Sequence, residues 1–288
     1  MNISPLYSTL KMLERRAFMG AIYRKFNRFA TLSCILLVIF SCESKKYQKA
    51  LETNVENRIE YTVKMVFPHD ETAFTQGLVI HKNKVYESTG FHNQIPSWIA
   101  EVNLDNGEQH KRVELDSRYF GEGICVLNNK LYQLTWKENT GFIYDLKTFK
   151  NTGSFSYNSE GWGLTTDQQH LIMSDGTENI RFLDTLTFEV VKTIVVREGN
   201  IPVKNINELE FIKGYLYANL WKTSLIVKID PDNGKVVGVL DLSSLVNSIE
   251  RTHPEADVLN GIAYNSETGD ILVTGKLWPK AYLIRPEE

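Results

Sequence analysis

An all-β, five-bladed β-propeller is the fold this sequence predicts, and three observations predict it. One pattern recurs five times between Phe74 and Gly275: an apolar run opens on a Gly-rich or acidic corner, and a second strand answers it after a short turn. The openings are spaced by roughly 40 to 50 residues, the length of a four-stranded blade. The last repeat is one strand short, and an unassigned strand, Tyr61–Phe67, precedes the first. Placed as the outer strand of the fifth blade, that strand closes the ring and removes its exposed edges.

The chain of 288 residues divides into three parts. Residues 1–42 carry six basic residues and a single acid, Glu14, and end in an apolar run from Phe29 to Phe40 followed by Ser41-Cys42. Charged region, short apolar region and small residue, in that order, read as an export signal that is short for a bilayer span. Ile39-Phe40-Ser41-Cys42 resembles a bacterial lipobox, which makes Cys42 the expected lipidation site; a plain signal peptide cut nearby is the alternative. Residues 43–58 are polar and read as a tether. Residues 59–288 hold the repeats. The expected location is the bacterial cell envelope, exported, with contact to a membrane only through the lipid anchor.

Charge and cysteine content narrow the function. Without residues 1–42 the chain keeps 26 basic and 34 acidic residues, a net charge of −8. Such a surface has no general attraction for nucleic acid or anionic lipid. One cysteine, Cys125, remains beyond the signal, so the exported domain has no internal disulfide, and Cys125 reads as a small buried hydrophobe.

The elements follow in order. The openings are Phe74-Thr75-Gln76-Gly77, Gly121-Glu122-Gly123, Gly161-Trp162-Gly163, Asn207-Glu208-Leu209 and Asn260-Gly261. The answering strands end at Gly90, Trp136, Gly176, Trp221 and Lys276. Turn pairs such as Lys82-Asn83, Asn128-Asn129 and Asn233-Gly234 supply residues that tolerate positive φ in tight hairpins. Beyond the N-terminal region, a helical period shows only over Ser243–Glu250.

In an antiparallel blade the first strand starts on the face where the second ends. Gln76, Glu122, Trp162 and Asn207 from the openings should therefore meet Trp136, Trp221 and Lys276 from the strand ends around one mouth of the channel. Ordinary alternatives exist for each: a Glu between glycines can serve a turn, tryptophans at strand ends often wedge blades apart, and a strand-end lysine is often solvated. Glu208 and Glu210 read either as channel acids or as a second acidic group near Glu122.

The same segments resemble the plant- and bacterial-type glutaminyl cyclases. The resemblance runs from about Tyr61 to Arg285 and rests on Phe67-Pro68-His69-Asp70, Ala73-Phe74-Thr75-Gln76-Gly77-Leu78, Tyr119-Phe120-Gly121-Glu122-Gly123, Tyr132-Gln133-Leu134-Thr135-Trp136, Glu160-Gly161-Trp162-Gly163, Met173-Ser174-Asp175-Gly176, Asn207-Glu208-Leu209-Glu210 and Leu259-Asn260-Gly261. It implies a five-bladed propeller that converts N-terminal glutamine of peptides or proteins to pyroglutamate and releases ammonia. It also implies a catalytic set of Glu122, Lys276 and Asn207, with Phe74, Gln76, Phe120, Trp136, Trp162 and Trp221 binding substrate. Glu122 would take the proton of the attacking amine and pass it to the leaving nitrogen. Lys276 and the carboxamides of Gln76 and Asn207 would bind the amide oxygen as charge develops.

No cofactor is required by this chemistry. The six histidines lack the spacing of a zinc site, while oxygens at a propeller axis suit a structural calcium. The expected partners are peptides or proteins beginning with glutamine, acted on by a monomer. The alternative from another class is a non-catalytic envelope propeller that binds peptides or protein partners through the same mouth.

Overall fold

Strand β1 (Tyr61–Pro68) begins the fold, and the computed structural model describes residues 58–287. Blade 1 follows as β2 (Thr75–His81), β3 (Lys84–Thr89), β4 (Trp98–Val102) and β5 (Gln109–Glu114). Blade 2 holds β6 (Gly121–Leu127), β7 (Lys130–Thr135), β8 (Thr140–Asp145) and β9 (Asn151–Ser156). Blade 3 holds β10 (Leu164–Thr166), β11 (His170–Ser174), β12 (Asn179–Asp184) and β13 (Val190–Val195). A hairpin of β14 (Arg197–Glu198) and β15 (Ile201–Pro202), not anticipated from the sequence, precedes blade 4. Blade 4 comprises β16 (Ile206–Ile212), β17 (Tyr215–Leu220), β18 (Leu225–Ile229) and β19 (Val236–Asp241). Helix α1 (Ser243–Thr252) leads to blade 5, made of β20 (Leu259–Tyr264), β21 (Ile271–Gly275), β22 (Lys280–Pro286) and β1.

The protein is thus a five-bladed propeller. Each inner strand (β2, β6, β10, β16, β20) packs beside those of its two neighbours, so the ring closes. Inner strands are buried on both faces, as in the wholly buried β6, so apolar residues run without alternation in Leu78–Ile80 and Ile124–Leu127. The core lies between blades. Ile124, Val126 and Leu131 pack on Val79 and Ile99 between blades 1 and 2, and Ile172, Ile180 and Phe182 on Leu216 and Val227 between blades 3 and 4.

The outer strand of blade 5 is β1, paired antiparallel with β22 from Tyr61↔Pro286 to Pro68↔Lys280. Its anchors are Tyr61 and Phe67, which pack against the core, whereas Met65 is 53% exposed and Val63 is also exposed. Arg58 sits in the span read as tether, yet it bridges to Val239 and pairs with Asp241 at 3.1 Å. The turns take the conformations their residues favour: Asn83, Asn128, Asn129 and Gly234 all have positive φ. Residues 1–57, which hold the expected signal, Cys42 and nearly all of the tether, lie outside the described residues. Among the described residues no helix is long and apolar enough to cross a membrane.

Candidate active site

A single backbone device, repeated in every blade, builds the site. Near its start, each inner strand slips one residue against its partner strand. The register runs Thr75↔Thr89 then Gly77↔Ser88 in blade 1, and Gly121↔Thr135 then Ile124↔Gln133 in blade 2. It runs Ile206↔Leu220 then Leu209↔Ala218 in blade 4, and Leu259↔Gly275 then Ile262↔Val273 in blade 5. In blade 3, Trp162 N–H donates to Ser174 O while Ser174 N–H donates to Gly163 O, which is the same slip. A β-bulge re-aims the side chain it carries. The bulges carry Gln76, Glu122, Trp162, Asn207 and Asn260.

The bulges are clamped from the preceding blade. Ser88 donates its hydroxyl to Glu122 O at 2.6 Å, and Ser174 donates to Asn207 O at 2.6 Å. Behind Ser88, Gln133 Nε2 donates to its Oγ at 2.8 Å and Tyr144 donates to Gln133 Oε1 at 3.1 Å. All of these groups are buried. The backbone of Glu122 is therefore fixed by a relay that begins on the third strand of its own blade.

One step further out, four of the five answering strands end on a residue whose N–H returns to the segment leading into the strand beside it. Gly90 N–H donates to Phe74 O, Trp136 to Phe120 O, Trp221 to Asn205 O, and Lys276 to Val258 O. From these pairs Phe74, Phe120, Trp136, Trp221 and Lys276 line the cup. Where the wall position is glycine, an aromatic ring occupies the space. A Cβ on Gly90 would collide with the Phe120 ring, and one on Gly176 (φ +77°) would lie 2.7 Å from the Trp162 indole.

The result is a cavity of about 350 Å³ lined by Phe74, Gln76, Phe91, Phe120, Glu122, Trp136, Trp162, Asn207, Trp221, Asp257 and Lys276. Every mouth residue singled out from the sequence lines it. Phe91 and Asp257 were not anticipated. Phe91 stands on a tight rim turn and Asp257 on the loop after α1, where no strand pattern marks them. The other two tryptophans, Trp98 and Trp278, are fully buried structural residues.

Electrostatics single out one pair. Glu122 and Lys276 are each 5% exposed. Burial pushes the Glu122 carboxyl well above the usual carboxylate range; the Glu160 and Glu138 charges add to this and Lys276 opposes it. Burial likewise lowers the Lys276 ammonium, opposed by Glu122 and Asp257. The Lys276 Nζ lies 4.7 Å from the centre of the Phe74 ring. Gln76 Oε1 accepts Asn260 Nδ2 at 3.4 Å, which leaves the Gln76 NH₂ group for the cup. Asn207 lines the cup, and its buried Oδ1 has no partner among the described residues.

Glu208 and Glu210 do not line the cup. Glu208 accepts Leu78 N–H at 3.3 Å and Ile262 N–H at 2.8 Å, across the channel in blades 1 and 5. Glu210 accepts Tyr264 N–H at 2.9 Å and the Thr165 hydroxyl at 3.1 Å. Both are channel acids whose oxygens already serve protein donors. Among the described residues no group of three or more His, Cys, Asp or Glu is arranged to hold a metal ion. His69 bridges Trp278 O (2.6 Å) and Glu87 (3.1 Å) beneath the loop that carries Phe74, and so orders the border of the site.

A five-bladed propeller with a buried carboxyl and lysine in an aromatic cup defines the class of protein. A family model described as glutamine cyclotransferase matches residues 33–285. The glutaminyl-peptide cyclotransferase of Arabidopsis thaliana is 40% identical over 232 residues, covering 80% of this chain and 71% of that protein. The crystal structure of Myxococcus xanthus glutaminyl cyclase superposes with a TM-score of 0.75 at 37% identity, covering 80% of this chain and 98% of that one. The chain belongs to the glutamine cyclotransferase family.

Proposed function

We propose that the protein is a glutaminyl-peptide cyclotransferase that closes N-terminal glutamine to pyroglutamate, with Glu122 as the proton shuttle. The observation that carries this reading is a carboxyl group buried in an apolar cup beside a buried lysine. Family membership and the likeness to the Arabidopsis glutaminyl-peptide cyclotransferase and the Myxococcus glutaminyl cyclase support it.

The reaction joins the substrate's α-nitrogen to its own side-chain amide carbon. The Glu122 carboxylate takes a proton from that nitrogen as the N–C bond forms. It returns the proton to the amide nitrogen, the old C–N bond breaks, and ammonia leaves. A group whose proton affinity is raised by burial is well matched to both transfers. Lys276 and the Gln76 NH₂ group suit the oxygen that gains negative charge. The carboxamide of Asn207, which lines the same cup, is assigned to that oxygen as well. The aromatic walls fold the substrate side chain back on its own amine, which makes the attack effectively pre-oriented. No step in this sequence calls on a metal.

The test is direct. The protein from residue 43 onward is incubated with a glutamine-initiated dipeptide, and ammonia and the pyroglutamyl product are followed. Equal amounts of both support the reading; absence of turnover with intact fold and bound peptide would favour a peptide-binding propeller instead.

We further propose export to the cell envelope with anchoring at Cys42, on the strength of the charged and apolar run before it. Cys42→Ala should release the protein from the membrane fraction. A variant that partitions as the parent does would remove the lipid anchor from consideration.

A further inference from the structure

The aromatic wall of the cup consists of two arcs. In one, His92 stacks on Phe74 at 5.0 Å, Phe74 meets Phe120 edge-on at 6.4 Å, and Phe120 packs on Trp136 at 5.6 Å. In the other, Trp162 meets Trp221 edge-on at 5.6 Å. The join between the arcs is not aromatic. It is Glu160, whose Oε2 accepts Trp136 Nε1 at 2.8 Å and Trp162 Nε1 at 3.0 Å.

We propose that Glu160 is a positioning residue of the active site: one carboxylate oxygen fastens Trp136 to Trp162 and makes the two arcs a single wall around the substrate side chain. The proposal rests on the cyclotransferase reading for its substrate, though the fastening itself does not. The blade repeat makes the same point independently. Two residues before the bulge stand Phe74 in blade 1 and Phe120 in blade 2, both wall aromatics; blade 3 has Glu160 at that position. A carboxylate therefore replaces a ring where two indole N–H groups converge. One oxygen that accepts from two indole N–H groups at these distances ties both rings to a single point and so holds them in one orientation. The other oxygen, Oε1, lies 4.0 Å from Lys137 Nζ, which itself sits 3.7 Å over the Trp136 ring. The side chain is partly exposed, so the site tolerates substitution without loss of the core.

Two variants test this in the full exported domain. Glu160→Ala removes the acceptor, and Glu160→Gln keeps an amide oxygen able to receive both indole N–H groups while removing the charge. Misplacing reacting groups by about an ångström costs up to roughly 100-fold. The expected result for Glu160→Ala is a fall in kcat/KM of about tenfold or more, carried mainly by kcat, at unchanged melting temperature. Its near-UV circular dichroism should lose part of the indole signal, and Glu160→Gln should restore both readouts to within about threefold of the parent. Parent-like kinetics and dichroism in Glu160→Ala would overturn the proposal. Equal impairment of both variants would also overturn it, since the effect would then belong to the charge. If the parent protein turns over no glutaminyl peptide, the cyclotransferase reading fails, and the dichroism comparison still decides whether Glu160 fastens the indoles.

Discussion

The carboxylate of Glu208 accepts the backbone N–H of Ile262 at 2.8 Å, across the channel from one inner strand to the next. It does so from the position that Gly77, Gly123, Gly163 and Gly261 hold in the other blades, directly after the bulge. At Gly123 and Gly163 a Cβ would lie 2.8 Å or less from the neighbouring strand's backbone, so the strands approach too closely for a side chain. One acid fills the space that the glycines leave. Beneath it, Glu210 ties β16 to Tyr264 in the same way.

Those two acids give the propeller a pH dependence. Burial raises Glu210 to about 7 and Glu208 well above the carboxylate range. The folded state then holds a proton that the unfolded chain has released above pH 4.5, the ordinary carboxyl value. Their contribution to stability is fully present below that pH and is lost as pH rises through about 7, by about 3 kcal/mol for Glu210 alone at about 1.4 kcal/mol per unit. Glu210→Gln, which mimics the protonated acid, should flatten the decline. Melting temperatures of the parent and variant across pH 5 to 8 check it, and parallel curves would show that Glu210 does not titrate there.

Glu122→Gln should leave the fold intact and lower turnover by roughly 10²–10⁴-fold, the usual contribution of a general acid–base group. Ammonia release under single-turnover conditions measures the chemical step. A folded variant working at the parent rate would eliminate the shuttle.

Gly90→Ala places a methyl group in the space of the Phe120 ring. Phe120 must turn, and it packs on both Phe74 and Trp136. The expected outcome is a loss of activity larger than the loss of stability, because the ring borders the cavity rather than the core. Kinetics and melting temperature of the one variant decide this; a melting temperature that collapses with activity would point to a structural role.

Zinc-selective chelation should leave turnover unchanged. Activity lost and recovered with added zinc would bring the histidines back into the mechanism.

Deleting residues 43–57 should be nearly silent, since that polar stretch offers little apolar surface to bury. Deleting through Phe67 should lower soluble yield and melting temperature sharply. The damage comes from exposing the edge of β22 and from losing Tyr61 and Phe67, not from Val63 or Met65. Equal melting of the two truncations would show that β1 contributes nothing to closure.

Much of this architecture was legible in the sequence. Gln76, Glu122, Trp162 and Asn207 could be aligned because dense local signals, glycines and aromatics, flank most of them. The bulge itself was not legible, since a one-residue slip between strands leaves no mark in either strand alone. Helix α1 showed through its period at Ser243–Glu250, whereas the β14–β15 hairpin is too short to carry one. Glu160 stood inside a recognised segment, yet its role depends on two indoles from different strands. Its signal was positional: it aligns with Phe74 and Phe120, and neither is charged. Phe91 and Asp257 reach the cup from loops, where side-chain direction follows no period.

The pairing of β1 with β22 also sets the timing of folding. In a chain made from its N-terminus, β1 is the first of these strands to appear and its partner is the last. Blades 1 to 4 are each contiguous in sequence and can assemble as they emerge. Blade 5 cannot, because its outer strand waits for nearly the whole domain to follow. Lys276, between β21 and β22, is delivered in that final stretch, so the cup gains its cation only when the ring is about to close. Until that stretch has been made, the chain holds Glu122 without its counter-charge, and a chain still lacking its last strands has no finished active site.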